Sequence, residues 1–208
     1  MRRGSVVALC LAMAPAVMAC ESSGFSYVGN NQDKTYFRIP EGWQLFDEND
    51  LLGNDRQITV QSLQGVSGQW MVAFDSSPDP SVDNVLDTSS EHPSGYAQVR
   101  PLSEQEHESY SLASLRNAVI PIDQLSQDEG MVKPVSEEEI LLEDGIHGSR
   151  LVNEVKIGEE LFTIDQTALL DAATRKLYVL VIGCQKECYE ANQKTIEGVA
   201  DSWTVQGG

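Results

Sequence analysis

Apolar and polar positions alternate with a period of two over most of the C-terminal half of the chain, which predicts strands there. In the clearest case Leu177, Val179 and Val181 point one way while Tyr178, Leu180 and Ile182 point the other. A strand apolar on both faces is covered on both sides and belongs inside a layered structure. Tyr189, Ile196, Val199, Ala200 and Trp203 then recur at helical spacing. They predict an amphipathic helix that packs back on the sheet and leads into a final short strand. Ahead of this unit the pattern predicts an antiparallel meander. Val135 to Leu142 forms one strand, Asp144-Gly145 a hairpin turn, and Leu151, Val155 and Ile157 the next apolar face. Gly158 turns the chain, Phe162, Ile164, Ala168 and Leu170 make another face, and Asp171 to Arg175 turns into the buried strand.

The first half is read less easily. Phe25 to Val28 alternates weakly after a polar stretch, Tyr36 to Pro40 reads as a strand, Glu41-Gly42 as a turn, and Trp43 starts another strand. Ile58 and Val60, then Trp70, Val72 and Phe74, alternate on either side of Gly65-Val66-Ser67-Gly68, which predicts a hairpin. Asp75 to Pro80 is a loop, and Ser81 is placed to cap a short helix through Leu86. Tyr96 to Leu102 predicts a strand. Ser103 and Glu106 have capping-box spacing, and Leu112, Leu115 and Val119 continue a helical period that Pro121 ends. Asp123 to Gly130 is polar and loop-like. No repeat and no linker divides the pattern, so one domain is expected in 208 residues.

The N-terminus carries an address. Arg2 and Arg3, an apolar run from Val6 to Met18 and a small residue before Cys20 make the three parts of a secretory leader over residues 1–19. Val17-Met18-Ala19-Cys20 resembles a bacterial lipobox, with Met18 where a small or β-branched residue is commoner. That resemblance implies cleavage before Cys20, a diacylglyceryl group on its thiol, and a lipid-anchored protein on the extracytoplasmic side of the cell membrane. Two acyl chains hold a protein durably where one does not. The alternative is an ordinary secretory signal in which Cys20 is incidental. Export is expected by the general secretory route. Residues 20–34 are expected to form a lipidated tether and residues 35–208 the domain.

Charge excludes some partners. The whole chain carries a net −18, and the leader would remove two bases and no acid. Such a field repels phosphate backbones, so no nucleic acid is expected as a partner. With Cys10 removed in the leader and Cys20 lipidated, Cys184 and Cys188 remain, the even count of an exported disulfide. Their spacing puts the Cα atoms about 6 Å apart at a helix start, within disulfide reach. Redox catalysis prefers two intervening residues, and zinc needs further ligands that are not nearby.

Catalytic patterns are not visible. His92, His107 and His147 lie in separate segments and share no ligand spacing. Asp47-Glu48-Asn49-Asp50 is similar to a calcium loop but has Gly53 one place late and no closing glutamate. It and Glu137-Glu138-Glu139 read as solvated acidic stretches. Asp165 and Gln166 stand mid-strand in the meander, so one of them faces inward, as a satisfied core polar group rather than a pocket floor.

The phrase Ile39-Pro40-Glu41-Gly42-Trp43, the late meander and the close Ser202-Trp203-Thr204-Val205 resemble PsbP-like domains, in particular those of secreted actinobacterial lipoproteins. The resemblance implies an α+β fold, a single α/β/α sandwich around a central antiparallel sheet. It brings no catalytic set and no cofactor. The expected function is non-catalytic: an acidic accessory domain that binds an envelope protein partner. The alternative is capture of a small ligand or divalent cation by acidic loops such as Asp47–Asp50.

Overall fold

The computed structural model describes residues 24–52 and 69–206. The leader, Cys20 and the first arm and turn of the hairpin expected at Ile58 to Gly68 lie outside these residues. β1 (Phe25–Asn30) and β2 (Thr35–Pro40) form a hairpin, and β3 (Gln44–Phe46) leads into α1 (Glu48–Leu52). β4 (Trp70–Asp75) and β5 (Ser94–Pro101) follow, then the short helices α2 (Glu104–Ser109), α3 (Leu112–Leu115) and α4 (Ile122–Leu125). β6 (Val132–Leu141), β7 (His147–Ile157), β8 (Glu160–Leu170) and β9 (Lys176–Gln185) make the meander, before α5 (Lys186–Ala200) and β10 (Thr204–Val205).

The strands form a seven-stranded sheet in the order β3-β4-β5-β9-β8-β7-β6, with every neighbouring pair antiparallel. β9 lies inside it and is buried on both faces, as its pattern predicts. Leu177, Val179 and Val181 join a core with Tyr96, Leu115, Phe162 and Ile164 on the face covered by the short helices. Leu180 and Ile182 join a second core with Phe37, Phe74, Tyr189, Ile196 and Val199 on the face covered by α5. Full burial of each such aliphatic side chain contributes about 1.5–3 kcal/mol, so two cores on one strand make β9 the spine of the fold. The result is the expected α+β sandwich around a central antiparallel sheet.

Three expectations are corrected. Phe25–Asn30 is a strand paired with β2, so the folded body begins ahead of the boundary expected at residue 35 and takes over part of the expected tether. Its alternation is weak because Phe25 and Tyr27 face outward and Val28 alone is buried deeply. β10 is the expected final short strand, and it pairs with β2 in a second sheet of order β1-β2-β10. The helix expected through Leu86 is a single 3-10 turn over Val82–Asn84, capped by Ser81 as expected. Leu86 has φ 56, outside helical space, which stops it. Pro121 does not end the helical region, for Ile122–Leu125 forms α4 inside the expected loop and Ile122 is buried beneath it.

The PsbP-like phrase works through its turn. Gly42 has φ +106, a conformation that disfavours any side chain, and the turn closes with the Trp43 N–H on the Pro40 carbonyl at 3.2 Å. Trp43 is thereby laid on Phe74 with ring centroids 5.7 Å apart, and Phe74 meets Phe37 at 5.9 Å. These rings fasten the hairpin to the large sheet.

Candidate functional site

The disulfide is where the spacing put it. Cys184 ends β9, Cys188 lies in the first turn of α5, and they are bonded with Cα atoms 5.9 Å apart. Both are buried in the α5-side core, which makes the bridge a staple for the strand-to-helix corner. Cys20 lies outside the described residues.

Asp165 and Gln166 are both buried, on opposite faces, because the sheet is covered on both sides. Asp165 shares the α5 face with Arg150, whose Nε and Nη2 donate to its two oxygens at 2.9 and 2.6 Å. Arg150 Nη1 donates to Asp201 at 2.6 Å, and the Tyr189 hydroxyl donates to Asp165 at 3.2 Å. Burial, with the carboxylate beside it, pushes the Tyr189 phenol well up, so it stays a donor. Gln166 Nε2 donates to the carbonyls of Leu115 and Arg116 at 3.1 and 3.2 Å, holding α3 against the sheet. Both side chains act as interior fasteners, Asp165 through both oxygens and Gln166 through its amide nitrogen, while Gln166 Oε1 is buried with no hydrogen-bond partner among the described residues.

The acidic loop is occupied with its own backbone. Asp47 Oδ1 accepts the N–H groups of Asn49 and Asp50 at 2.8 and 3.1 Å, and Asp50 Oδ2 accepts that of Asp47 at 2.9 Å. Among the described residues no group of three or more His, Cys, Asp or Glu is placed to hold a metal ion. The histidines remain apart. The His107 ring bonds the Ala173 carbonyl at 2.9 Å, the His147 ring bonds the Gly145 carbonyl at 3.1 Å, and His92 is exposed.

A different region gathers donors. The hairpin and α5 together line a cavity of about 610 Å³, with Gly24, Phe25, Arg38, Pro40 and Trp43 on one side. Asn192, Lys194, Thr195 and Gly198 of α5 line the other, and Ser76, His92 and Pro93 close the end. A second cavity of about 500 Å³ shares Arg38 and Gly198 and runs past Tyr27 and Tyr36 toward Ser202. The register explains the lining: Tyr27 pairs with Arg38 and Gly29 with Tyr36, so these side chains share the outer face while Val28, Phe37 and Ile39 turn inward.

Arg38 is the link between the two cavities. Its guanidinium stands 4.6 Å over the Phe25 ring, and its buried Nε has no hydrogen-bond partner among the described residues. Its backbone N–H donates to Ser202 Oγ at 3.0 Å, which fixes it against the end of α5. Arg150 makes the contrast. It lines a cavity of about 350 Å³, but Asp165 and Asp201 already neutralise it. Gly198 completes the floor, since a Cβ there would meet no atom within 4 Å. Sequence reasoning passed over Arg38, Lys194, Thr195 and Gly198. The available signal was a glycine on the polar side of a strongly periodic helix.

No family model matches the chain. No curated protein matches it either. Solved structures do. A cyanobacterial PsbP of Synechocystis is similar with TM-score 0.52 and 13% identity, covering 94% of this chain and 99% of that one. The Ran-binding protein Mog1p of Saccharomyces cerevisiae gives TM-score 0.47 and 8% identity over 89% of this chain and 97% of that one. LpqN of Mycobacterium tuberculosis, involved in cell envelope biogenesis, gives TM-score 0.45 and 10% identity over 90% and 87%. The first of these establishes a PsbP-like fold.

Proposed function

We propose that this is a lipid-anchored, extracytoplasmic protein of the cell envelope whose PsbP-like domain binds an envelope partner and catalyses no reaction. The observation that carries the reading is the place of the donor-lined cavity, whose lining includes Gly24, four positions after Cys20. A group held there would be joined to a lipidated Cys20 by only a few residues of chain. The buried Cys184–Cys188 bridge supports the extracytoplasmic side, because structural disulfides persist in oxidising compartments. The three-part leader and the lipobox-like Val17-Met18-Ala19-Cys20 support export and anchoring. The buried ionisable groups favour binding over chemistry, since Arg150, Asp165 and Tyr189 are spent on one another.

Crosslinking in intact native cells, followed by membrane extraction and mass spectrometry, tests the partner. A protein joined reproducibly to wild type and lost on unfolding the domain is the expected result. Absence of any such protein would overturn the accessory role. Cys20→Ala tests the anchor: it moves the protein from the membrane to the soluble fraction, and an unchanged distribution would count against lipidation.

A further inference from the structure

We propose that the cavity between the β1–β2 hairpin and α5 binds the phosphate of a phospholipid headgroup, with Arg38 as the charge that meets it. The lipid source rests on the anchored reading above; the anion site does not.

The chain has 32 acidic residues against 14 basic ones, yet no Asp or Glu lines this cavity while Arg38, Lys194 and His92 do. Asp201 lines the adjoining cavity with Arg38 but is held by Arg150 at 2.6 Å, so Arg38 remains the local attraction for an anion in an otherwise acidic field. The planar guanidinium fork matches a phosphate, and no protein acceptor among the described residues holds its buried Nε. Arg38 is also held in advance. Phe25 lies under the guanidinium and Ser202 grips the backbone N–H, so less freedom is lost on binding. The hydroxyls of Ser76 and Thr195 add further donors on the wall.

The surroundings favour a lipid phosphate over a free one. Trp43 and Phe25 line the cavity, and Tyr27, 73% exposed, stands on the same outer face of the hairpin as Arg38. The amphipathic rings of Trp43 and Tyr27 suit the boundary between headgroups and acyl chains. The link from Cys20 to Gly24 spans at most about 14 Å when extended, so an anchored domain holds the cavity at the bilayer surface. The acidic body disfavours spreading on an anionic membrane, which leaves capture of one headgroup as the available contact.

The test uses the chain from residue 20 onward carrying Cys20→Ser, which contains every residue of both cores and bears no acyl chain of its own. It is titrated by NMR with dihexanoylphosphatidylglycerol below its micelle concentration, with inorganic phosphate, and with a glutamate-rich peptide. The expected result is a saturable shift centred on Arg38, Thr195 and Gly198 with the lipid. Arg38→Gln weakens it about tenfold or more, the loss of one charge-assisted contact. Lys194→Gln, at an exposed position outside both cores, gives a smaller loss and controls for misfolding of the arginine variant. An equal response to inorganic phosphate overturns the lipid source, and a stronger response to the peptide overturns the phosphate. Silence at those residues overturns the site whatever the anchor. Fractionation of Cys20→Ala is read separately, so each reading can fail alone.

Discussion

Ser202 Oγ accepts the backbone N–H of Arg38 at 3.0 Å and donates its own proton to the Val199 carbonyl at 2.6 Å, joining the end of α5 to the middle of β2. The two residues are 164 positions apart, so one hydroxyl ties the closing segment to the first hairpin. Trp203 reinforces it, with Nε1 donating to Thr35 Oγ1 at 2.8 Å. Ser202→Ala leaves the Arg38 N–H without its acceptor, a loss of about 1–2 kcal/mol. Urea unfolding measures this as a lower midpoint at unchanged slope. A midpoint equal to wild type would mean that water takes the place of the hydroxyl.

Asp165 is a buried, fully partnered carboxylate on the α5 face. Its side chain is 1% exposed and accepts from Arg150 and Tyr189. Asp165→Ala leaves the Arg150 guanidinium with only the exposed Asp201 and strands the Tyr189 phenol, at a cost of about 3 kcal/mol. Replacing the pair together, Arg150→Met with Asp165→Leu, restores most of that loss, because no uncompensated charge stays buried. Thermal unfolding of the single and double variants checks it. A double variant as unstable as the single one would refute the pairing as the source of the cost.

Acid sensitivity has a marked contributor at Glu106. The hydrogen bond from Arg100, 2.8 Å long, together with those from Ser103, holds this carboxyl at about 2 against an ordinary 4.5, with burial opposing. A carboxyl depressed on folding stabilises fully above its unfolded value and loses that contribution as pH falls through its folded value. Glu106→Gln therefore flattens the stability curve between pH 4.5 and about 2, while lowering stability at neutral pH. Its partial exposure keeps the effect modest. Denaturant midpoints across that range decide it, and parallel curves for variant and wild type would assign the acid response elsewhere.

The architecture was legible where periodicity was strong. β9 declares itself because both faces are apolar, and the capping box at Ser103 and Glu106 forms as spaced, as does the turn at Gly145 with φ 78. β1 was hidden because an outer-face strand needs few apolar residues, and Phe25 and Tyr27 break the alternation that would reveal it. The cavity was less legible still. Arg38, Trp43 and Lys194 converge only through hairpin register and helix docking, which no local spacing encodes. Asp165 and Gln166 stood out in the sequence, but two covered faces, rather than one, decided that both are buried.

The Cys184–Cys188 bridge closes a very short loop, so its loss costs about 2 kcal/mol on chain-entropy grounds. Replacing both cysteines with serine also places hydroxyls in the α5-side core, where Cys184 is 0% exposed. Two alanines are the cleaner test. The expected outcome is a folded protein with a lower melting temperature, and wild type with reductant should approach it. A reductant-insensitive wild type whose alanine variant melts at the same temperature would remove the bridge from the stability of the corner.

Gly198 sets stability against the cavity. A glycine inside a helix costs about 0.5–1 kcal/mol relative to alanine, through the freedom it has when unfolded. Nothing lies within 4 Å of the position its Cβ would take, so α5 could carry alanine there without strain. Gly198→Ala is therefore expected to raise the melting temperature. The same methyl intrudes on the floor shared by both cavities beside Arg38, so binding of the short-chain lipid should weaken. Melting and lipid titration on one preparation separate the two effects. A variant that is more stable and binds as well as wild type would leave the glycine without a role in the cavity.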